Sequence, residues 1–355
     1  MQPGGLDPSD AESVLATYAP GLLAAVDAAP DLDGLAHAED AHNGLVRVLA
    51  QVGLPVPAIG RAVALLNHRV MARLYALSMP PELVAQTCLV VMGSEGRAEQ
   101  ILKTDQDNGL IVRDGIDPLS LAGPLKDFSD GLARLGWPPC PGNVMVTNRA
   151  WVRDEAGWAE TLARWVRLPN PDSFMSVAIF ADAGAVAGDA TLLAGARQRL
   201  LDLLAGHGAF LSQFAHTALT FETPLGLFGT LLTEGGEHKG RLDLKKGGIF
   251  PIVHGIRALA LEAHLPQTNT LDRLAALMQA DRLERGLAVD LREAFEFLLA
   301  LRLKAKLHEA RQDGADNLIA PAHLAPDERE ELRHAFRVVK QFKDLLSYHF
   351  HLGMF

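Results

Sequence analysis

The sequence predicts an α+β protein: a mostly helical chain with a small α/β domain in its middle and a helical bundle at its C-terminal end. Three observations carry this. Apolar residues recur at three- and four-residue spacing over the first eighty positions, short apolar β-branched runs follow, and helical spacing returns from Asp189 onward. The expected domains are a helical region at 1–80, the α/β domain at 81–190 and a helical domain at 191–355. A length of 355 residues leaves room for these, since domains commonly hold about 100 to 200 residues.

The front helices are read from Val14, Leu15, Tyr18, Leu22, Leu23 and Val26, with Ser9 and Asp10 available as caps. Leu45, Val46 and Leu49 belong to a second segment ended by Gly53 and Pro55, and Val63, Leu66, Val70, Leu74 and Leu77 to a third ended by Pro80-Pro81. Thr87-Cys88-Leu89-Val90-Val91-Met92, stopped by Gly93, then reads as a buried strand. Asn108 to Val112 and Asn143 to Thr147 are the next two strands, with a helix in Pro118 to Leu135 between them, and Ser176 to Phe180 is a further short strand. Trp151 to Val166 is expected to be helical. Its Trp151, Trp158 and Trp165 share one helix face at a seven-residue interval, which suits core packing better than base stacking. Helices around 191–206, 210–219, 252–264, 270–280, 288–312 and 326–348 complete the bundle.

Composition narrows the function classes. Apolar residues are 48% and charged residues 21%, so the chain can bury cores, and its net charge of −10 disfavours a broad nucleic-acid-binding face. Two cysteines, Cys88 and Cys140, cannot make a disulfide framework or a four-cysteine zinc site and suit a reducing compartment. Without a leader-like start or a long apolar run, a cytoplasmic location with no membrane insertion is expected. The thirteen histidines form no His-Glu-x-x-His pattern, and no P-loop string occurs. His349 and His351 are expected in a disordered terminus.

The chemistry concentrates in Met92-Gly93-Ser94-Glu95-Gly96-Arg97-Ala98-Glu99-Gln100, followed by Thr104-Asp105-Gln106-Asp107-Asn108. In an extended segment, side chains at i and i+2 share a face, so Asp105 and Asp107 point the same way. Two such carboxylates suit magnesium, which takes oxygen ligands and commonly bridges one or two carboxylates to substrate phosphates. Gly93 lets backbone approach a phosphate, and the Ser94 hydroxyl can donate to phosphate oxygens. Arg97 offers a planar, permanently charged fork. Solvated turn acids beside a plain strand-to-helix turn are the bland alternative, but the order strand, Gly-Ser, spacer, Asp-x-Asp, strand favours a site.

This string resembles the signature of the DNA polymerase β-like nucleotidyltransferases, which include protein-PII uridylyltransferases and glutamine synthetase adenylyltransferases. More narrowly, it is similar to the nucleotidyltransferases of the DUF294 family. The resemblance continues through Cys140-Pro141-Gly142-Asn143-Val144-Met145, Asp182 to Asp189, Leu242-Asp243-Leu244-Lys245 with Gly248 and Pro251, Asn269-Thr270-Leu271 and Asp316-Asn317, covering roughly 60–345. It implies that Gly93 and Ser94 hold the triphosphate of an NTP such as ATP or UTP, that Asp105 and Asp107 hold magnesium, and that 191–355 binds the acceptor, a regulatory protein by analogy. One departure stands out. Many members carry a third carboxylate on a later strand, yet Asn143-Val144-Met145-Val146-Thr147 has no acid, and Asp182 is the nearest alternative.

The most basic stretch, His238 to Gly248, places Lys245 between glycines, where it either neutralises phosphate charge or belongs to a solvated loop. Arg257 either joins it or pairs with Asp243 or Glu262. Three functions follow from the reading: transfer of a nucleoside monophosphate from an NTP to an acceptor with release of pyrophosphate, nucleotide binding for regulation without turnover, or a helical interaction protein with a vestigial site.

Overall fold

The computed structural model describes residues 10–308 and 317–352. Ser9, Asp316 and the end of the helix expected at 288–312 lie outside the described residues. The chain divides into two compact units, 1–203 and 204–355.

In the first unit, α1 (Ala11–Tyr18), α2 (Leu22–Ala28) and α3 (Leu32–Gln51) pack on α4 (Val56–Ser78). Asp10 caps α1, accepting from the Glu12 amide, and Asp31 caps α3 through the Gly34 amide. Ile59, Val63, Leu66, Val70 and Leu74 of α4 are buried, which makes this helix the spine of the unit. After a single turn, α5 (Pro81–Val84), the chain enters β1 (Thr87–Val91). Tyr75 at the end of α4 shares a 2.7 Å hydrogen bond with Thr87 Oγ1, fixing spine to sheet.

β1 lies between two antiparallel neighbours, β2 (Asn108–Val112) and β4 (Gly184–Gly188), and β3 (Val152–Asp154) runs parallel to β2, giving the order β3-β2-β1-β4. Thr87 pairs with Val112 and Val91 with Asn108. A four-residue helix, α6 (Gly93–Gly96), follows β1, and α7 (Ala122–Arg134) follows β2. α8 (Glu155–Arg167) sends Trp158 onto the sheet, where its indole N–H donates to the Leu110 carbonyl at 3.0 Å. Trp151, Trp158 and Trp165 meet with ring centroids 5.9–6.2 Å apart, so the tryptophans pack together as expected. α9 (Pro171–Ala181), β4 and α10 (Ala190–Leu204) complete the unit.

Two expected strands are corrected. Asn143 to Thr147 is an irregular segment, because Asn143 adopts a left-handed φ of 54° and the pairing to β2 runs partly through a side chain. The Asn108 amide donates to the Val144 carbonyl at 3.0 Å, while Asn108 Oδ1 accepts from the Val146 amide at 2.8 Å. Ser176 to Phe180 is helical: Asn170 and Ser173 form a capping box and Pro171 opens α9, which outweighs the β-branched residues. The strand falls later, in Gly184-Ala185-Val186-Ala187-Gly188, whose small residues hide it from propensity reading. Trp151 to Val166 also starts its helix only at Glu155.

Gly96 shows why small residues recur here. A Cβ at this position would sit 2.6 Å from the Val91 carbonyl oxygen and would collide harder with that of Asp182. Gly96→Ala is therefore expected to cost about 3 kcal/mol, lowering the melting temperature by roughly 6–12 °C in a calorimetric scan.

In the second unit, α11 (Gly208–His216), α12 (Phe250–Glu262), α13 (Thr270–Gln279), α14 (Arg285–His308) and α15 (Pro326–His349) form the expected bundle around α12, which is buried from Pro251 to Leu261. A short antiparallel pair, β5 (Leu242–Asp243) with β6 (Leu318–Ile319), was not expected, nor was the π-helical turn Lys245–Ile249 that leads into α12. Lys245 is exposed at the start of that turn. Arg257 is buried and meets His254 Nδ1 at 3.2 Å, while His254 Nε2 meets the Phe214 carbonyl at 2.8 Å. His349 lies in α15 with Nε2 2.7 Å from Glu262, which corrects the expected disordered end. No helix among the described residues is long and apolar enough to cross a membrane.

Candidate functional site

The site lies at the C-terminal end of β1, where the chain turns sharply. Gly93 has φ 61°, and a Cβ there would lie 2.8 Å from Asp107 Oδ2. Glycine is required twice, by the left-handed backbone and by the close approach of the carboxylate. The Met92 amide donates to the Asp107 carbonyl at 2.9 Å, so the β1–β2 ladder itself brings Asp107 against the turn.

Gln106 fixes which way the two carboxylates point. It is 1% exposed, and its Nε2 donates to the carbonyls of Ser129 (3.0 Å) and Trp137 (2.9 Å), while its Oε1 accepts from Ser129 Oγ (2.8 Å). Its backbone N–H donates to the Pro138 carbonyl at 2.9 Å. With the middle residue held inward, Asp105 and Asp107 emerge together on the other side. They form, with Cys140, a group whose ligand atoms all lie within 4.8 Å of one another. The Cys140 thiol donates to Asp107 Oδ1 at 3.3 Å. Partial burial raises the thiol to about 11 and Asp107 adds to the rise, although backbone N–H groups of Val144 and Gly142 act in the opposite direction.

The rest of the turn is braced. Ser94 Oγ donates to Gln100 Oε1 at 3.1 Å, and Thr104 Oγ1 donates to the same oxygen at 3.2 Å, which ties the turn to the segment leading into Asp105. Glu95 points the other way, accepting from Asn67 Nδ2 at 3.1 Å and lying 3.3 Å from His68 Nε2 on α4.

Arg97 sits in a buried ionic triad, with Nε donating to Glu99 Oε2 and an Nη donating to Asp182 Oδ2, both at 2.6 Å. The Arg97, Glu99 and Asp182 side chains are 12%, 7% and 1% exposed. Burial disfavours the guanidinium charge, but the two carboxylates outweigh it and hold its pKa above the ordinary arginine value. Asp182 is thereby bound up with Arg97 at the end of α9 and is absent from the Asp105–Asp107–Cys140 group.

The structure thus brings Gly93, Asp105 and Asp107 together, sets Ser94 in the same turn, turns Arg97 toward carboxylates, and places Lys245 in the second unit. Sequence reasoning missed Cys140 as a neighbour of Asp107 and the anchoring roles of Gln100 and Gln106. Gln106 had a signal: a buried amide between two outward acids is what a period of two demands.

The family comparisons place the chain among nucleotidyltransferases. A family model described as "Putative nucleotidyltransferase DUF294" matches residues 40–172, and one described as "Putative nucleotidyltransferase substrate binding domain" matches 208–350. The chain belongs to the DUF294 family. A search of curated proteins finds no match to it.

Proposed function

We propose that the protein transfers a nucleoside monophosphate from an NTP to an acceptor hydroxyl, with the reaction centred on Asp105 and Asp107. The single observation that supports this best is the packing of the Asp107 carboxylate against the Gly93 turn, beside Asp105. A phosphate chain lying on a glycine turn has metal-binding oxygens next to it. The donor set suits magnesium, since carboxylate oxygens are hard ligands that leave positions for water and phosphate. A divalent cation bound there supplies charge neutralisation and alignment of the α-phosphate.

The chain's own residues do the rest. Asp105 and Asp107 hold the cation, Gly93 admits the phosphates, and the Ser94 hydroxyl exchanges its bond to Gln100 for one to a phosphate oxygen. Arg97 acts as a brace under the turn through Glu99 and Asp182. The acceptor oxygen bonds to the α-phosphorus, the bond from that phosphorus to the bridging oxygen breaks, pyrophosphate leaves and the hydroxyl proton passes to water. Positioning and electrostatics supply most of the acceleration in such a step.

The 191–355 region is assigned to the acceptor, and the choice of a regulatory protein rests on the resemblance to protein-PII uridylyltransferases alone. The assay is incubation with NTPs labelled at the α- or the γ-phosphate, magnesium and cell extract. Transfer of α-label with release of pyrophosphate supports the reading, while transfer of γ-label, or of neither, opposes it. A second reading, nucleotide binding without turnover, is favoured by one observation: Asp182, the nearest substitute for a third carboxylate, is paired with Arg97. Saturable NTP binding without transfer identifies it.

A further inference from the structure

We propose that Cys140 is the third protein ligand of the cation held by Asp105 and Asp107, so that the site binds borderline cations such as cobalt, manganese or zinc more tightly than magnesium. The inference rests on the metal-binding role assigned to the two carboxylates and adds a donor that neither family description mentions.

Geometry carries it first. Two atoms bound to one ion at about 2.0–2.3 Å can be separated by at most about 4.6 Å. The carboxylate oxygens and Sγ are already within 4.8 Å of one another, and Sγ is 3.3 Å from Asp107 Oδ1. A small inward shift of three side chains on loop backbone closes the shell.

The surroundings of the sulfur carry it further. Cys140 follows Pro138 and Pro139 and opens a tight turn in which the Asn143 amide donates to the Cys140 carbonyl at 2.9 Å. That turn folds back over the sulfur, since a Cβ at Gly142 would lie 3.6 Å from Sγ. The Pro138 carbonyl is bonded to the Gln106 amide, so the loop that presents Cys140 is fixed to the residue between the two acids. On binding, the ion takes the place of the thiol proton, which passes to water.

Chemistry then sets the preference. Magnesium favours oxygen and gains little from a thiolate, whereas cobalt and zinc gain strongly and manganese moderately. A sulfur in the shell therefore raises affinity for the latter ions selectively. Cys88 provides an internal control, because it is buried in β1 and faces no carboxylate of this group.

The test is titration of the full chain with cobalt, following the thiolate-to-cobalt charge-transfer band in the near ultraviolet, with magnesium affinity measured alongside by calorimetry. The wild type and Cys88→Ala are expected to develop the band. Cys140→Ser and Cys140→Ala are expected to lack it and to show a cobalt-to-magnesium affinity ratio lower by about tenfold or more, with circular dichroism confirming the fold of whichever variant is used. Cobalt binding to the wild type without the band, or a band that survives in a folded Cys140 variant, overturns the inference and leaves the carboxylate site standing. If the wild type binds neither cobalt nor magnesium with NTP, the carboxylate reading fails and this inference fails with it.

Discussion

Asp107→Asn is expected to lower nucleotidyl transfer at saturating NTP and magnesium by at least about a thousandfold, equal to about 4 kcal/mol of transition-state stabilisation. The change keeps shape and the hydrogen-bond acceptor for Cys140, so packing against Gly93 survives. What it removes is the formal charge, and with it the strongest attraction for the cation between the phosphates and the protein. Asp105→Asn should fall by a similar factor, because the two oxygens act on one ion and their effects are not additive. Both variants should melt within a few degrees of the wild type, since neither carboxylate belongs to the core. Steady-state assays with α-labelled NTP, paired with thermal scans, check this. Retained transfer in either folded variant places the chemistry elsewhere.

The largest stability effect belongs to Arg97. Replacing it by alanine leaves Glu99 and Asp182 buried, 7% and 1% exposed, without the guanidinium that bonds them both. Breaking a buried ion pair by removing one partner costs about 3–5 kcal/mol, so the melting temperature should drop by roughly 6–20 °C. Arg97→Lys should recover little, because one ammonium cannot serve Glu99 through Nε and Asp182 through Nη at 2.6 Å each. The experiment separates two roles. A phosphate-binding arginine, as its place one turn after Ser94 predicts, loses NTP affinity on substitution while the fold keeps its stability. A brace loses stability first. We expect the second pattern in calorimetric scans run with nucleotide titrations.

Much of this site was legible because its parts are local. Gly93 and Ser94 lie in the turn that follows β1, Asp105 and Asp107 lie in the loop just before β2, and a period of two suffices to orient the acids. Asp182 and Cys140 reach the same neighbourhood from 85 and 33 residues away, and local pattern carries no information about such contacts. The helices were read well wherever Gly or Pro closed an apolar repeat, as at Gly53, Pro55 and Pro80. The sheet edges were not. β4 is built from glycine, alanine and one valine because β1 and α6 press against it, so it lacks the β-branched signature. Asn143 to Thr147 has an apolar run without the ladder, because the Asn108 side chain replaces part of it. The π-helical turn at Lys245–Ile249 left no trace that periodicity detects, since a single irregular turn is too short to shift a repeat.

The central claim is that Asp105 and Asp107 make NTP binding depend on a divalent cation, and calorimetric titration of NTP with and without magnesium tests it most directly. The wild type should bind only when the cation is present, and the Asp105→Asn/Asp107→Asn double variant should bind no better with magnesium than without it. Equal, magnesium-dependent affinity in the wild type and the double variant would contradict the account.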